Sequence, residues 1–132
     1  MKPPLVLLIE DNEQNLYLMR FLLEKHGFVV LGATSGRQGL SEAARTSPDI
    51  ILLDIQLPEM DGYAVARALR QQEGQRQTPI VVVTSYAMVG DREKAMASGA
   101  SGYIEKPINP DTFVAQVREH LPRANPPAES VR

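Results

Sequence analysis

The chain has 132 residues, 43% of them hydrophobic, which suits one domain with a single core. Its 14 basic and 16 acidic residues give a net charge of −2, without the basic run typical of nucleic-acid or polybasic membrane sites. The absence of cysteine excludes disulfides and thiolate metal sites. The apolar run LVLLI near the N-terminus is too short for a signal-peptide core, and no segment reaches membrane-spanning length. These features predict a cytoplasmic single-domain protein.

Five short apolar runs alternate with amphipathic segments of helical length. The runs are LVLLIE, FVVLGA, DIILLD, PIVVVT and GYIEKP. They are too short for helices and are bounded by Gly, Pro or Asp, which indicates strands. Runs one, three and four are nearly all aliphatic, as strands buried on both faces should be, whereas Gly and polar residues interrupt runs two and five. We therefore predict an α/β fold, a flavodoxin-like (βα)5 doubly wound parallel sheet with strand order 2-1-3-4-5.

Capping residues and helical spacing define the predicted helices and the domain limits. Residues 12–26 repeat apolar side chains at helical spacing, and Gly27 ends that helix. Asp61 is the predicted N-cap of a later helix. The domain is expected to span residues 1–121. The segment 122–132 has too little apolar content to fold and is expected to be disordered, and the starting methionine together with this tail favours a complete chain.

Acidic, hydroxyl and basic side chains follow four of the predicted strands. Glu10 and Asp11 follow strand one, Asp54 ends strand three, Thr84 ends strand four and Lys106 follows strand five. In a doubly wound sheet these strand ends lie together, and ligands bind there. Three neighbouring carboxylates repel one another unless some are protonated or a cation is bound. Oxygen ligands without His or Cys suit Mg²⁺, so the sequence predicts a magnesium site.

Each of these residues has an ordinary structural explanation when taken alone. Asp11 or Asn12 could be a helix N-cap and Asp54 a strand-end cap. Thr84 could be a β-forming residue and Lys106 a surface lysine. Their occurrence together at four strand ends favours a functional site. The sequence contains no Gly-rich phosphate-binding motif, and the acidic segment EDNEQN after strand one would repel a phosphate, which argues against a nucleotide or flavin site.

Three segments carry a resemblance to a known family. IEDN, LLDIQLPEMDGY and VVVTSYAMVGDREKAMASGASGYIEKP are similar to the receiver domain of bacterial two-component response regulators. The resemblance covers about residues 4–121. Within that family, AMVGDREK is most similar to single-domain (DivK-like) regulators and to receivers attached to hybrid sensor kinases. The resemblance implies a phosphoaccepting signalling protein that catalyses only its own phosphorylation and dephosphorylation, not an enzyme with a separate substrate.

The resemblance also implies roles for the residues around the acidic pair. Asp54 would be the phosphoacceptor, with its carboxylate converted to an acyl phosphate. Asp11 and Asp54 would contact Mg²⁺ directly, Glu10 would act mostly through water, and the carbonyl of Gln56 would complete the protein ligands. The pair here is Glu-Asp, where Asp-Asp is commonest in the family.

Thr84 and Lys106 would each contact the transferred group. The Thr84 hydroxyl would bond one phosphoryl oxygen, and the Lys106 ammonium would pair with another. The Lys106–Pro107 bond is cis in the family, which would direct the ammonium inward. Two further positions, Gln56 and Tyr86, influence hydrolysis of the acyl phosphate in the family. Gln56 could orient a water and bulky Tyr86 could exclude one, so the sequence leaves the phosphoryl lifetime open.

The resemblance implies protein partners. The phosphodonor would be a sensor histidine kinase or a histidine phosphotransferase, docking on helix one and the loop after strand five. Output would use the surface of helix four, strand five and helix five, without a DNA-binding output. We expect no nucleic-acid or membrane partner, and a monomer or weak dimer. The expected partner-surface residues are Asn15, Leu18, Met88, Val89, Pro107 and Ile108, and the expected switch pair is Thr84 and Tyr103.

Two other functions fit parts of the sequence. A Mg²⁺-dependent phosphatase that uses an aspartyl phosphate would carry a D-x-D pair after its first strand, whereas here that strand is followed by EDN, and Asp54 is followed by IQ. A constitutive interaction module would keep the fold without the chemistry, yet the acids, Thr84 and Lys106 are all present. The main hypothesis is therefore a phosphoaccepting relay.

Overall fold

Strands and helices alternate five times in the computed structural model, which describes residues 2–85 and 90–122. The strands are β1 (Leu5–Ile9), β2 (Val29–Ala33), β3 (Ile50–Asp54), β4 (Ile80–Thr84) and β5 (Gly102–Glu105). The helices are α1 (Glu13–Lys25), α2 (Gly36–Thr46), α3 (Gly62–Gln71), α4 (Asp91–Ala97) and α5 (Phe113–His120), with a short 3₁₀ helix (Glu73–Gln75) after α3. The predicted (βα)5 alternation is confirmed.

The strands form one parallel sheet in the order β2-β1-β3-β4-β5, as predicted. Every residue of β3 and β4 is buried, and β1 is buried from Val6 onward. The outer strands β2 and β5 mix buried and exposed positions. The aliphatic runs are therefore the central strands because only these have helices on both faces.

Alternate side chains of each central strand enter different layers of the core. Val6 and Leu8 pack in the cluster that also contains residues of α1 and α5. Leu7 and Ile9 pack with α2 and α3. Val82 of β4 packs with Ala95 of α4, on the same side as α2 and α3. The sheet is thus covered on one face by α1 and α5 and on the other by α2, α3 and α4.

Side-chain caps fix where the helices begin. The Oδ1 atom of Asn12 accepts the backbone N–H of Asn15 at 2.9 Å, so α1 starts at Glu13, one residue later than predicted. Asp61 is the N-cap of α3, as predicted, and its Oδ1 accepts the N–H of Tyr63 at 3.2 Å. Such caps satisfy backbone donors that have no partner inside the helix.

Arg70, near the end of α3, ties together several loops at the amino end of the sheet. Its Nε donates to the Gly99 carbonyl at 2.9 Å. Its guanidinium also donates to the carbonyls of Gln75 at 2.7 Å and Thr78 at 2.6 Å. Burial lowers the pKa of Arg70, but an arginine remains charged across the physiological range. This end of the domain, opposite the acidic strand ends, is therefore cross-linked by one side chain.

Within the ranges 2–85 and 90–122, no helix is long and apolar enough to cross a lipid bilayer. Of the predicted tail, residues 123–132 lie outside the described part of the chain. Tyr86, Met88 and Val89 lie outside it as well.

The start of α3 is seated directly against the end of β3. A Cβ atom added at Gly62 would overlap the Cα of Ile55 and lie 2.8 Å from the Asp54 carbonyl oxygen. The Gly62 N–H donates to the Ile55 carbonyl at 3.1 Å. Only glycine allows this approach, so the residue helps to position the end of β3.

We expect Gly62→Ala to lower the free energy of unfolding by about 1–3 kcal/mol, since backbone atoms must shift to admit the methyl group. Gly74→Ala is the matched control, because a Cβ at Gly74 would meet no atom within 4 Å. Urea denaturation of the two variants is the measurement. Equal stabilities would contradict the close approach at Gly62.

Candidate functional site

The acids predicted from the sequence lie together at the carboxyl end of the sheet. Ile9 of β1 pairs with Leu53 of β3, so Glu10 and Asp54 emerge side by side. One carboxylate oxygen from each of Glu10, Asp11 and Asp54 lies within 4.8 Å of the other two. Glu10 is 1% exposed and Asp54 is 3% exposed, whereas Asp11 is exposed to solvent. The fold therefore brings the three predicted acids into one cluster.

Backbone amides orient the two buried carboxylates. The N–H of Gln56 donates to Oδ1 of Asp54 at 3.0 Å, and the N–H of Asn12 donates to Oε2 of Glu10 at 3.2 Å. Each acid thus has one oxygen held by the loop that follows its own strand. The other oxygen of each acid faces a shared cation.

That cation is Lys106, which follows β5. Its Nζ lies 2.9 Å from Oε1 of Glu10 and 3.4 Å from Oδ2 of Asp54. The Lys106 backbone N–H donates to the Thr84 carbonyl at 2.8 Å, which fixes the end of β5 to the end of β4. The Lys106–Pro107 peptide bond is cis, as the resemblance implied. Lys106 therefore offsets part of the negative charge of the cluster.

Within the cluster, the pKa of Glu10 is shifted by its surroundings. Burial raises the pKa of Glu10 above its usual range, and the negative charge of Asp54 acts in the same direction. The hydrogen bond from Lys106 opposes this rise without cancelling it. Burial thus disfavours the ionised form of Glu10, and a further cation bound beside it would favour that form.

An open cavity of about 490 Å³ lies over the acids. Its lining includes most of the predicted site and two residues that the sequence did not assign to it, Asn12 and Ser85. The Ser85 hydroxyl donates to Oε1 of Gln56 at 3.0 Å. Ser85 directly follows Thr84, and this position is the signal that could have identified it. The lining residues are Glu10, Asp11, Asn12, Asn15, Asp54, Gln56, Ser85, Lys106 and Pro107.

The predicted switch pair lies beside the cluster. Thr84 is buried at the end of β4, next to the strand that carries Asp54. Tyr103 lies on the edge strand β5 and pairs with Val82, two residues before Thr84. Tyr103 is half-buried and packs against a small apolar cluster that contains Tyr63 and Ala95. Thr84 and Tyr103 thus occupy adjacent strands between the acids and α4.

The predicted partner surface divides into two groups in the structure. Asn15 and Pro107 line the cavity, at its rim. Leu18 and Ile108 are partly buried against the core cluster of α1 and α5, so only part of each side chain is available to a partner. A second open cavity of about 510 Å³ borders β5 and α5, and Arg92, Tyr103 and Gln116 are among its lining residues.

The donor set fits Mg²⁺. Three carboxylates supply oxygen ligands, and the short loop after Asp54 brings the Gln56 backbone to the same cavity. The cluster includes no histidine, and the chain has no cysteine, which disfavours metals that prefer softer ligands. Mg²⁺ binds through one or two carboxylates plus waters, so an open cavity with one exposed acid suits it.

Comparison with known proteins agrees with the fold and the site. Residues 6–118 match the family model described as the response regulator receiver domain. The polar-differentiation response regulator DivK of Brucella ovis is 40% identical over 116 residues, which cover 88% of this chain and 94% of DivK. The chemotaxis response regulator CheY4 of Vibrio cholerae has a similar structure, with a TM-score of 0.87 and 28% identity, covering 91% of this chain and 100% of that one.

A receiver domain from a Pseudomonas aeruginosa sensor histidine kinase is also similar, with a TM-score of 0.83 and 33% identity over 89% of this chain and 97% of that one. Its crystal structure has a magnesium ion coordinated in the active site cleft. The motifs, the strand order, the acidic cluster and these similarities agree, and the chain belongs to the response regulator receiver domain family.

Proposed function

We propose that this receiver domain accepts a phosphoryl group on Asp54 in a two-component or phosphorelay signalling system. The main support for this proposal is the position of the Asp54 carboxylate. It lies at the end of a central strand, beside two other acids and Lys106, and lines an open cavity. Membership of the receiver family supports the same role. The protein then acts as a signalling phosphoacceptor that catalyses only its own phosphorylation and dephosphorylation.

The phosphoryl transfer is a substitution at phosphorus. A carboxylate oxygen of Asp54 forms a bond to phosphorus while the bond from phosphorus to the histidine nitrogen of the donor breaks, and that nitrogen keeps the electron pair. The Gln56 N–H holds Oδ1 of Asp54, which fixes the direction of the carboxylate. Mg²⁺, when held by Asp11, Asp54 and the Gln56 carbonyl, would supply positive charge for the transferring oxygens.

Two neighbouring side chains complete the proposed site. Lys106 pairs with a phosphoryl oxygen as a point charge, and the Thr84 hydroxyl bonds another. Thr84 ends β4, the neighbour of the strand that carries Asp54, and Lys106 reaches across from the end of β5 to within 3.4 Å of Asp54 Oδ2. Glu10 acts on the cation mainly through water, because its carboxylate is buried and already paired with Lys106.

The proposed donor is a sensor histidine kinase or a histidine phosphotransferase. It would approach over the cavity rim, where Asn15 and Pro107 are accessible, with Leu18 and Ile108 contributing their exposed parts. Family membership supports a cytoplasmic site of action. The phosphatase alternative has no specific support, because the first strand is followed by EDN instead of D-x-D.

Output is proposed to use the surface formed by α4, β5 and α5. Phosphorylation draws the Thr84 hydroxyl towards the phosphoryl group and lets Tyr103 change its packing against the cluster beneath α4. The phosphoryl group contacts Thr84 in only one of the two states, as a population shift requires. Coupling of about 1–3 kcal/mol is the usual range, so partner affinity should change by about a hundredfold at most.

The primary prediction is that acetyl phosphate and Mg²⁺ add one phosphoryl group to the protein, and that Asp54→Asn abolishes this because an amide cannot form the acyl phosphate. Intact-mass spectrometry is the measurement. Asp111→Asn, an exposed acid before α5, is the matched control and should be labelled like the parent. If Asp54→Asn gained a phosphoryl group, Asp54 would not be the phosphoacceptor. If the parent gained one in excess chelator, the reaction would not depend on Mg²⁺.

A second prediction concerns Lys106 as the internal counter-charge. Lys106→Met should lower the free energy of unfolding in chelator by about 3 kcal/mol, because buried Glu10 and Asp54 lose their shared cation. Mg²⁺ should then stabilise this variant more than the parent, since the competing ammonium is gone. Urea denaturation with and without Mg²⁺ measures both effects, and the exposed Arg67→Met is the control. A smaller response to Mg²⁺ than in the parent would contradict this role.

A third prediction tests the switch. Beryllofluoride, which mimics the phosphoryl group, should shift NMR resonances of α4 and β5 in the parent. Thr84→Ser keeps the hydroxyl and should preserve these shifts, whereas Thr84→Ala should reduce them although Asp54 is still occupied. Parent-like shifts in Thr84→Ala would show that output does not pass through the Thr84 hydroxyl.

A further inference from the structure

The side chain of Gln56 is held at the cavity by a residue that follows a different strand. The Ser85 hydroxyl donates to Oε1 of Gln56 at 3.0 Å, and both residues line the cavity over Asp54. Gln56 comes two residues after Asp54 at the end of β3, and Ser85 comes directly after Thr84 at the end of β4. The two loops that flank the phosphoacceptor are therefore joined by this hydrogen bond.

This hydrogen bond selects which end of the Gln56 amide is available to the cavity. A glutamine amide has an accepting carbonyl oxygen at one corner and a donating NH₂ group at the other. With Oε1 directed at the Ser85 hydroxyl, the NH₂ group is the corner of the amide turned away from Ser85. Oε1 keeps a second lone pair, but Ser85 sets the direction of the oxygen. The charges nearby favour this orientation, because Glu10, Asp11 and Asp54 attract N–H donors and repel a carbonyl oxygen.

The orientation matters for loss of the phosphoryl group. In hydrolysis the oxygen of a water forms a bond to phosphorus while the bond from phosphorus to the Asp54 oxygen breaks. Asp54 regains its carboxylate with the bonding electrons, inorganic phosphate leaves, and the proton of the water passes to the phosphate or to solvent. A side chain assists this attack by accepting a hydrogen bond from the water. A carbonyl oxygen can accept it, and an amide NH₂ group cannot.

We propose that Ser85 is a positioning residue that keeps the Gln56 carbonyl oxygen away from the attacking water and so lengthens the lifetime of the acyl phosphate. The NH₂ group of Gln56 then donates to a phosphoryl oxygen instead. This inference rests on the proposed phosphorylation of Asp54. The sequence left open whether Gln56 orients the attacking water. The hydrogen bond from Ser85 to Gln56 decides this in favour of a Gln56 that does not.

The first test compares the lifetime of the phosphorylated protein in three chains after acetyl phosphate is removed. Ser85→Ala should shorten the lifetime about two- to five-fold, the lower part of the range for one neutral hydrogen bond because both side chains are exposed. Ser85→Thr retains the hydroxyl and should restore a lifetime near that of the parent. An unchanged lifetime in Ser85→Ala would overturn the proposal.

A double-mutant cycle separates positioning of Gln56 from a direct effect of Ser85. Gln56→Met keeps the length of the side chain and removes both hydrogen-bonding ends. In a Gln56→Met chain, the further change Ser85→Ala should leave the lifetime unaltered, since the hydroxyl has lost the group on which it acts. Equal effects of Ser85→Ala with and without Gln56 would also overturn the proposal.

The last readout does not depend on phosphorylation. In NMR spectra of the protein without Mg²⁺, the side-chain carbonyl carbon of Gln56 reports whether its oxygen accepts a hydrogen bond. Its resonance should move in Ser85→Ala and return in Ser85→Thr. A resonance unchanged in Ser85→Ala would reject the positioning contact even if Asp54 were phosphorylated. If the contact is present and the parent takes up no phosphoryl group, the failure belongs to the role of Asp54 and not to the geometry of Ser85.

Discussion

The crowding of negative charge at one end of the sheet is the constraint to which the rest of the site responds. Two like charges about 4 Å apart repel by about 4 kcal/mol at the effective dielectric constant near a protein surface. One carboxylate oxygen of each of Glu10, Asp11 and Asp54 lies within 4.8 Å of the other two, and Glu10 and Asp54 are buried. The backbone donors at Asn12 and Gln56 and the ammonium of Lys106 stabilise this arrangement. Burial, and after it the charge of Asp54, still raises the pKa of Glu10. The strand order brings these three donors together, because Asn12 follows β1, Gln56 follows β3 and Lys106 follows β5 of one parallel sheet.

Much of this arrangement was predictable because it depends on topology and little on side-chain detail. Aliphatic runs without alternation identified the central strands, and Asp61 identified the start of α3. Once the strand order was set, a residue directly after a strand had to lie at the carboxyl edge, which placed Asp54 and Lys106 together without any knowledge of rotamers. The acidic cluster therefore followed from the positions of a few residues in the chain.

The details that the sequence did not predict depend on packing between elements. The partial burial of Leu18 and Ile108 results from how α1 and α5 rest on one another, which hydrophobic spacing leaves open. The contact between Ser85 and Gln56 requires two exposed side chains to meet across neighbouring loops. Serine and glutamine are both common in exposed loops, so the contact between Ser85 and Gln56 is visible only in the folded structure.

The guanidinium of Arg70 has a consequence for the end of α4. It anchors Gly99, just beyond α4, to the end of α3 and to the loop before β4, at the amino end of the sheet. Helix α4 runs from the acidic edge towards that anchor, since helices in this fold run opposite to the strands. The C-terminal end of α4 is thereby joined to α3 and to the loop before β4 by a single guanidinium. A substitution at Arg70 would therefore remove a donor from the carbonyls of Gln75, Thr78 and Gly99 at once, at the edge of the sheet opposite the acidic cluster.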